Sequence, residues 1–172
     1  MTLLRLNALP AEEAAEALRA CCASSRWVRA MVAARPFKNA GALLRAADAA
    51  WSATGPDDWA EAFAAHPRIG ESANFAAAGA LSGAWSGGEQ SRAAESPAGT
   101  RDELAKANLE YERRFGRTYI VCATGRSGED ILADLRSRLD NPPERELEVA
   151  AAEQHRITRL RLGKLILDAE QA

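Results

Sequence analysis

The sequence has few residues that favour β-strands, and it contains no long apolar run. Its 172 residues include 9 valines and isoleucines together, against 39 alanines. Alanine loses the least conformational freedom on entering a helix, whereas β-branched residues favour strands, so the composition argues against an all-β fold. No run of about 18 apolar residues occurs, so no membrane-spanning helix is predicted. Residues 1–7 lack the apolar core of a signal peptide.

Cysteine, histidine and excess charge are also scarce. Cys21, Cys22 and Cys122 offer no CxxC spacing for a zinc knuckle or a redox motif, and they are predicted to be reduced thiols of a cytoplasmic protein. The two histidines have no HxH or HExxH spacing, so no metal site is predicted. The chain carries 22 basic and 24 acidic residues, for a net charge of −2. That balance gives no reason to expect a nucleic-acid or acidic-membrane partner.

Proline, glycine and capping residues divide the chain into helical segments. Helices are predicted from Pro10 to about Cys22, from Ser24 or Ser25 to before Pro36, over 40–51 after Asn39, from Gly55 to Pro67, and over about 101–115, 127–139 and 143–168. Residues 68–100, rich in Ser, Gly and Ala, are expected to form short helices and loops anchored by Phe75, Leu81 and Trp85. Thr118–Cys122 is the one strand-like run, and without a partner strand it is expected to be an extended buried segment or a loop that links two helices. The prediction is a single all-α, bundle-like domain over 1–172, with about eight helices and a long C-terminal one.

His66 is the first candidate for chemistry. It falls on the same predicted helix face as Trp59 and Phe63, immediately before Pro67. A structural explanation is that a histidine at a helix end bonds the last carbonyls or interacts with the helix dipole. The functional alternative is a group that transfers protons near neutral pH.

Glu89 is the second candidate. Ser86 and Glu89 have the spacing of a capping box, which would place both at the start of a helix. The functional alternative is that Glu89, at that helix start, faces a cavity, where Gly87 and Gly88 permit a ligand to approach the backbone.

Arg161 is the third candidate, because it falls on the apolar face of the last predicted helix between Ile157 and Leu162. A buried guanidinium requires a partner, since an unpaired buried charge is very costly. The structural explanation is an ion pair with a glutamate or a stem that reaches solvent. The alternative is a clamp for an anion or a carbonyl group.

Taken together and in order, these motifs resemble the 2-oxo-4-hydroxy-4-carboxy-5-ureidoimidazoline (OHCU) decarboxylase family. The resemblance extends over nearly the whole chain. It rests on His66-Pro67-Arg68-Ile69-Gly70, Ser86-x-x-Glu89-Gln90, Asn108-x-x-Tyr111-x-x-Arg114-Phe115-Gly116, Gly125-Arg126-Ser127 and Leu160-Arg161-Leu162. The chain departs from the family where Phe115-Gly116-Arg117-Thr118-Tyr119 stands in place of the usual Phe-Gly-Phe-Pro-Phe.

The resemblance implies an all-helical, cofactor-free and generally dimeric enzyme that decarboxylates OHCU to (S)-allantoin in urate degradation. It assigns the catalytic residues to His66 and Glu89, with no metal ligand. It assigns substrate contacts to Pro67, Ser86 and Gln90, to the backbone of Ile120, Val121, Cys122, Ala123 and Thr124, and to Arg161.

The chemistry implied by the family suits these residue types. When carbon dioxide leaves, the conjugated ring of the substrate accepts the electrons, so the enzyme has to hold the ring and deliver a proton to one face. Either His66 or Glu89 can move that proton. A non-catalytic helical binding or dimerisation module is the competing interpretation, and it predicts that His66 and Glu89 lie far apart. Hydrolysis of the preceding pathway intermediate is disfavoured, because that activity resembles a β-rich fold.

Overall fold

The computed structural model describes residues 1–69, 80–91 and 95–167, and every regular element in those ranges is a helix. The all-α prediction is confirmed, with nine helices among the described residues where about eight were expected. They are α1 (Leu3–Ala8), α2 (Ala11–Arg19), α3 (Ser25–Ala33), α4 (Ala40–Ser52), α5 (Pro56–Ala64), α6 (Ala80–Glu89), α7 (Ala98–Phe115), α8 (Gly128–Arg138) and α9 (Pro143–Leu167). None of these helices is long and apolar enough to cross a membrane.

Local capping signals place several helix ends where the sequence predicts them. Ser24, Asn39 and Ser127 each accept a hydrogen bond from the backbone N–H three residues ahead, and so start α3, α4 and α8. Ser127 and Asp130 complete a reciprocal capping box. Gly116 ends α7 in the left-handed region, with φ of 68°.

Other boundaries differ from the prediction. The sequence analysis missed α1, and α2 begins at Ala11, with Pro10 just before it. α5 ends at Ala64, before His66, and α7 begins at Ala98 instead of about Arg101. α6 lies within the stretch expected to hold short helices and loops. The expected anchor Phe75 and the end of α9 near Asp168 lie outside the described residues, as does the side chain of Leu81.

The chain divides into two compact units. The first comprises Met1–Ala62 and the chain from His155 onward. Its core is formed by fully buried side chains from the first four helices, including Leu6, Leu18, Trp27, Met31 and Leu43. The indole Nε1 of Trp27 donates to the carbonyl of Ala47 at 3.1 Å, so this buried ring has a polar partner as well as apolar contacts.

The second unit comprises Phe63–Gln154. Helices α7 and α8 pack against each other in it around Leu104, Tyr111, Ile131 and Leu135, which are all fully buried. The residues 118–123 between these helices form no regular element, and Tyr119, Val121 and Ala123 pack into the same cluster. The run is thus largely buried and links α7 to α8 without forming a strand, in agreement with the expectation.

Candidate active site

His66 lies in a short loop that follows α5 and belongs to the second unit. Its N–H donates to the carbonyl of Phe63 at 3.0 Å, which closes the last turn after the helix. Because α5 ends at Ala64, the helical face inferred for His66 does not extend to it. His66 and Pro67 are both half-buried, so the imidazole is neither sealed in the core nor fully in solvent.

Two contacts tie the end of this loop to α7. The guanidinium of Arg68 forms a bidentate ion pair with Glu112, with Nε–Oε1 and Nη2–Oε2 distances of 2.7 Å each. The buried side-chain amide of Asn108 donates to the carbonyl of Ile69 at 3.2 Å. Ile69 itself is buried in the cluster that contains Val121. The end of the His66 loop therefore packs into the same core as residues 119–123.

Ser86, Glu89 and Gln90 lie at the C-terminal end of α6 rather than at the start of a helix. The capping-box interpretation of Ser86 and Glu89 is therefore wrong: Glu89 is the last residue of α6, and the N–H of Gln90 still donates to the carbonyl of Ser86 at 3.0 Å. At helical spacings of three and four residues, the three side chains lie on one side of the helix.

The three polar residues at this helix end are all buried. Ser86 is 2% exposed, Gln90 is 7% exposed and Glu89 is 9% exposed. Carboxylates are almost never this buried unless paired, and the end of a helix disfavours a negative charge. A compact group of buried polar side chains at a helix end is a candidate for ligand binding or catalysis, and Glu89 is the ionisable member of this group.

Gly87 and Gly88 lie between these polar residues. A Cβ added to either glycine would meet no atom of the described chain within 4 Å. Glycine in a helix costs roughly 0.5–1 kcal/mol relative to alanine. Packing against the described chain therefore does not require these glycines.

The segment Ile120–Thr124 has its backbone groups held from two sides. The carbonyl of Ile120 accepts from Nη1 of Arg138 at 2.9 Å, and the N–H of Cys122 donates to Oε2 of Glu153 at 2.9 Å. Ile120, Val121 and Ala123 are buried, Cys122 is half-buried and Thr124 is exposed. The segment is thus fixed in place by α8 and by the first part of α9.

Arg138 belongs to a buried ionic cluster that the sequence analysis missed. Its Nε donates to Oε1 of Glu146 at 2.9 Å, and the hydroxyl of Tyr111 donates to the same oxygen. Asn141 donates to the second carboxylate oxygen at 2.8 Å. Burial, and then the hydrogen bond to Glu146, raise the pKa of Tyr111, so the phenol remains a donor at neutral pH.

Arg161 lies in the first unit and is 3% exposed, as its place on an apolar stripe predicted. Its Nη1 donates to the carbonyl of Ala20 at 3.3 Å. The thiol of Cys22 is nearby: burial raises its pKa to about 11, and the positive charge of Arg161 acts in the opposite direction. A carbonyl group is therefore one partner of the buried guanidinium, as the sequence analysis required.

The structure places every other predicted site residue in the second unit. The hydrophobic cluster of that unit connects the end of the His66 loop to the 120–124 segment through Ile69, Val121 and Ala123. Ser86, Glu89 and Gln90 lie on α6 of the same unit.

Comparison with known protein families gives a match over most of the chain. Residues 7–163 match the model of the family described as OHCU decarboxylase. The chain belongs to the OHCU decarboxylase family.

Individual relatives of this family agree with the match. The uric acid degradation bifunctional protein TTL of Arabidopsis thaliana is 38% identical over 157 residues, covering 87% of this chain and 46% of that protein. The 2-oxo-4-hydroxy-4-carboxy-5-ureidoimidazoline decarboxylase of Amia calva is 38% identical over 90 residues, covering 51% of each. The chain thus spans about half the length of these curated relatives.

A solved structure of an OHCU decarboxylase has the same fold. The crystal structure of OHCU decarboxylase in the presence of (S)-allantoin superposes with a TM-score of 0.75 at 36% sequence identity. The similarity covers 87% of this chain and 96% of that one. The likeness therefore extends through nearly all of a family member's helical architecture.

Sequence reasoning missed the residues that support the site, although one signal was present. Arg138 falls on the face of α8 that carries Ile131 and Leu135. Like Arg161, it could therefore have been predicted as a buried guanidinium that needs a polar partner. No sequence pattern predicted the contacts of Asn108 with the Ile69 carbonyl and of Glu112 with Arg68. Polar groups such as these have many possible partners, and the fold decides which of them meet.

Proposed function

We propose that this protein decarboxylates OHCU to (S)-allantoin in the degradation of urate, without a cofactor. Membership of the OHCU decarboxylase family supports this activity. The single observation that carries it within the chain is the buried trio of Ser86, Glu89 and Gln90 at the end of α6. Polar side chains buried on one side of a helix end are the kind of group that holds a small polar substrate.

His66 and Glu89 are the proposed catalytic residues. Loss of carbon dioxide breaks the bond to the carboxylate carbon, and the electron pair left behind passes into the conjugated ring. Delivery of a proton to one face then gives a single enantiomer of the product. A half-buried imidazole can exchange that proton with solvent between turnovers. Glu89 is proposed to lie beside the imidazole, where a buried carboxylate can orient the ring and accept a hydrogen bond from the substrate hydroxyl.

The remaining predicted residues are proposed to bind the substrate. Ser86 and Gln90, on either side of Glu89, can hold carbonyl and ureido groups, and Pro67 lies next to His66 in the chain. The backbone of Ile120, Val121, Cys122, Ala123 and Thr124 is proposed to supply further contacts from a segment that α8 and α9 hold in place. Arg161 is proposed to donate its planar guanidinium to a carbonyl of the ring.

Four properties of the whole protein complete the proposal. The chain 1–172 acts as one domain, as a family match over residues 7–163 supports. It forms a homodimer, which sedimentation at micromolar concentration tests directly. It is cytoplasmic, in keeping with its three reduced thiols. Its partner is the small-molecule substrate, and no nucleic acid or membrane is involved.

The experiment is to add the protein to freshly oxidised urate and follow circular dichroism. We expect (S)-allantoin to appear faster than the racemate that spontaneous decay produces. His66→Ala and Glu89→Gln should each remove most of this activity, since each lacks a group that moves or positions a proton, with losses of about 10²–10⁴-fold in kcat.

His155→Ala is the matched control for the histidine variant. His155 lies in the first unit, where its Nε2 is 2.8 Å from Oδ1 of Asp48, and it has no proposed role in the reaction. This variant should keep wild-type turnover. Production of racemate at the spontaneous rate by the wild-type protein would refute the proposed function. Full activity of either site variant would refute the role of that residue.

A further inference from the structure

The loop that carries His66 directly follows α5 and is joined to the end of that helix. α5 ends at Ala64, and the N–H of His66 makes the last bond of that helical turn. Pro67, the next residue, has no N–H to donate. The residues that follow Pro67 therefore help to set where the loop, and with it the imidazole, lies.

Those residues are held by one face of α7. Arg68 pairs with Glu112 through two bonds of 2.7 Å, and Ile69 accepts from Asn108 at 3.2 Å. Asn108 and Glu112 are four residues apart, so they lie one above the other on the same face of the helix. Two consecutive loop residues are thus fixed to two consecutive turns.

The helix that carries these tethers is itself well anchored. α7 spans 18 residues, and its Leu104 and Tyr111 are 0% exposed. The side-chain amide nitrogen of Asn108 also donates to the carbonyl of Leu104 at 2.9 Å, and this second hydrogen bond fixes the rotamer of the side chain. A bidentate pair of arginine and carboxylate fixes orientation as well as distance. The tethers therefore transmit the rigidity of α7 to the loop.

We propose that Glu112, Arg68 and Asn108 are positioning residues that hold the His66 imidazole in place for proton transfer. The inference rests on the proposed function, in which His66 is catalytic. None of the three is proposed to touch the substrate. Their effect on turnover passes through the His66 loop.

The chain offers a matched control for the ion pair. Glu103, also on α7, pairs with Arg136 of α8 at 2.7 Å, with side chains 50% and 58% exposed. In the Arg68–Glu112 pair, Glu112 is 24% exposed and Arg68 is 36% exposed. Both pairs are partly in solvent, where an ion pair contributes little to stability. They differ in what they hold, because only the Glu112 pair is attached to the His66 loop.

The first test compares the kinetics of Glu112→Gln, Arg68→Lys and the control Glu103→Gln. Misplacing a catalytic group by a fraction of an ångström to one ångström slows the chemical step, so we expect kcat to fall at least about tenfold in the first two variants. KM should change less than kcat, because Ser86, Gln90 and Arg161 lie outside the loop and Pro67 is the one proposed substrate contact within it. Glu103→Gln should match the wild type in both constants.

The second test does not depend on activity. The protein has two histidines, so a spectrum of ring-labelled histidine contains two signals, and His155→Gln assigns them. We expect the His66 signal to shift or broaden in Glu112→Gln and in Arg68→Lys, and to stay unchanged in Glu103→Gln. Thermal unfolding of all three variants checks that each remains folded.

The two tests separate this inference from the proposed function. If the wild-type protein decarboxylates OHCU and both loop variants keep the kcat of Glu103→Gln, the positioning role is overturned and the function stands. If the wild-type protein shows no decarboxylation, the function fails and the spectrum decides the positioning role. In that case, a His66 signal identical in Glu112→Gln and Glu103→Gln overturns it, and a signal changed only in Glu112→Gln supports it.

Discussion

Arg138 and Arg161 each place a guanidinium on a helix face that is otherwise apolar. Arg138 is 5% exposed and Arg161 is 3% exposed. Burying such a charge is tolerated only with partners, and the structure provides them as the carboxylate of Glu146 for Arg138 and the carbonyl of Ala20 for Arg161. At the scale of single residues, a charge on an apolar stripe is a reliable sign of a polar contact whose identity the stripe does not reveal.

Gly128, the first residue of α8, is a position where the absence of a side chain is required. A Cβ there would overlap the hydroxyl of Ser96 and lie 2.9 Å from its Cβ. Gly128→Ala is therefore expected to lower the free energy of unfolding by about 1–3 kcal/mol through overpacking. Urea denaturation followed by circular dichroism measures the change.

Gly163 in α9 is the control for this substitution. No atom of the described chain lies within 4 Å of a Cβ added there. Gly163→Ala should raise the free energy of unfolding by roughly 0.5–1 kcal/mol, because alanine is the better helix former. A Gly128→Ala protein as stable as Gly163→Ala would contradict the packing argument.

At the scale of elements, the cluster around Glu146 joins parts of the second unit that are distant in sequence. Glu146, in the first turns of α9, accepts hydrogen bonds from Arg138 of α8 and from Tyr111 of α7. Arg138 in turn donates to the carbonyl of Ile120, which lies in the segment between α7 and α8. The guanidinium also lies over the ring of Tyr119, 4.7 Å from its centroid. One carboxylate thus helps to align three helices and the segment between two of them.

Removal of this carboxylate should be costly. Glu146→Leu removes the closest anion of the buried Arg138 and leaves Asp134, at 3.6 Å, as the remaining one, so the free energy of unfolding should fall by up to about 3–5 kcal/mol. The double variant Arg138→Met/Glu146→Leu should recover part of that loss, because no unpaired charge remains. Chemical denaturation of both variants measures the difference.

Glu148→Gln provides the comparison for the buried carboxylate. Glu148 pairs with Arg145 at 3.2 Å, and both side chains are 64% exposed. Loss of such a surface pair should change stability by less than about 1 kcal/mol. If Glu146→Leu also lowers the free energy of unfolding by less than about 1 kcal/mol, the buried pair of Arg138 and Glu146 does not stabilise the second unit.

Asp48 on α4 connects to the last part of α9 in the first unit. Its carboxylate lies 2.6 Å from Nη1 of Arg159 and 2.8 Å from Nε2 of His155. The hydrogen bond from Arg159, and then that from His155, hold the pKa of Asp48 below its ordinary value of 3.8. A carboxylate with a lowered folded-state pKa stabilises the fold above its unfolded pKa, and that contribution is lost as the pH falls through the folded value.

Asp48→Asn should therefore be less stable than the wild type at neutral pH, and the two should converge as the pH falls below about 4. The difference at neutral pH should be small, because Asp48 and Arg159 are 36% and 41% exposed. Urea unfolding of both proteins at several pH values between neutrality and about 3 measures the convergence. A difference that grows toward low pH would contradict the assigned sign.

At the scale of the whole molecule, the family match extends over residues 7–163 and includes parts of both compact units. The proposed catalytic pair belongs to the second unit and Arg161 to the first. The proposed reaction relies on protein side chains and on the substrate's own ring as the electron acceptor. Its requirements can therefore be tested on the intact protein.

Turnover should survive removal of metal ions. Dialysis of the protein against a chelator is expected to leave the rate of (S)-allantoin formation unchanged, because the ring accepts the electrons that carbon dioxide leaves behind. His66→Ala, treated in the same way, gives the background rate. Activity that disappears on chelation and returns with an added divalent metal would refute a cofactor-free reaction.

Much of the helical framework could be predicted from the sequence, because caps and breakers act locally. Ser24, Asn39, Ser127 and Gly116 end or begin helices through bonds to their own neighbours in the chain. The resemblance to the OHCU decarboxylase family could also be recognised from the sequence, because the family's motifs are short and occur in a fixed order. The absence of a strand at 118–122 was predicted for a related reason: one strand-like run without a partner cannot form a sheet.

Only the tertiary structure decided the elements and contacts that depend on distant partners. α1 has six residues, too few to be stable alone. The side chain of Asn7 forms hydrogen bonds with the backbone of Phe37. The guanidinium of Arg35 donates to the carbonyls of Leu6 and Leu9. The sequence by itself determined several helix ends and the burial of Arg161, because both follow from spacing along the chain. It did not determine that Glu89 ends a helix or that Arg68 meets Glu112, because those depend on which segments the fold brings together.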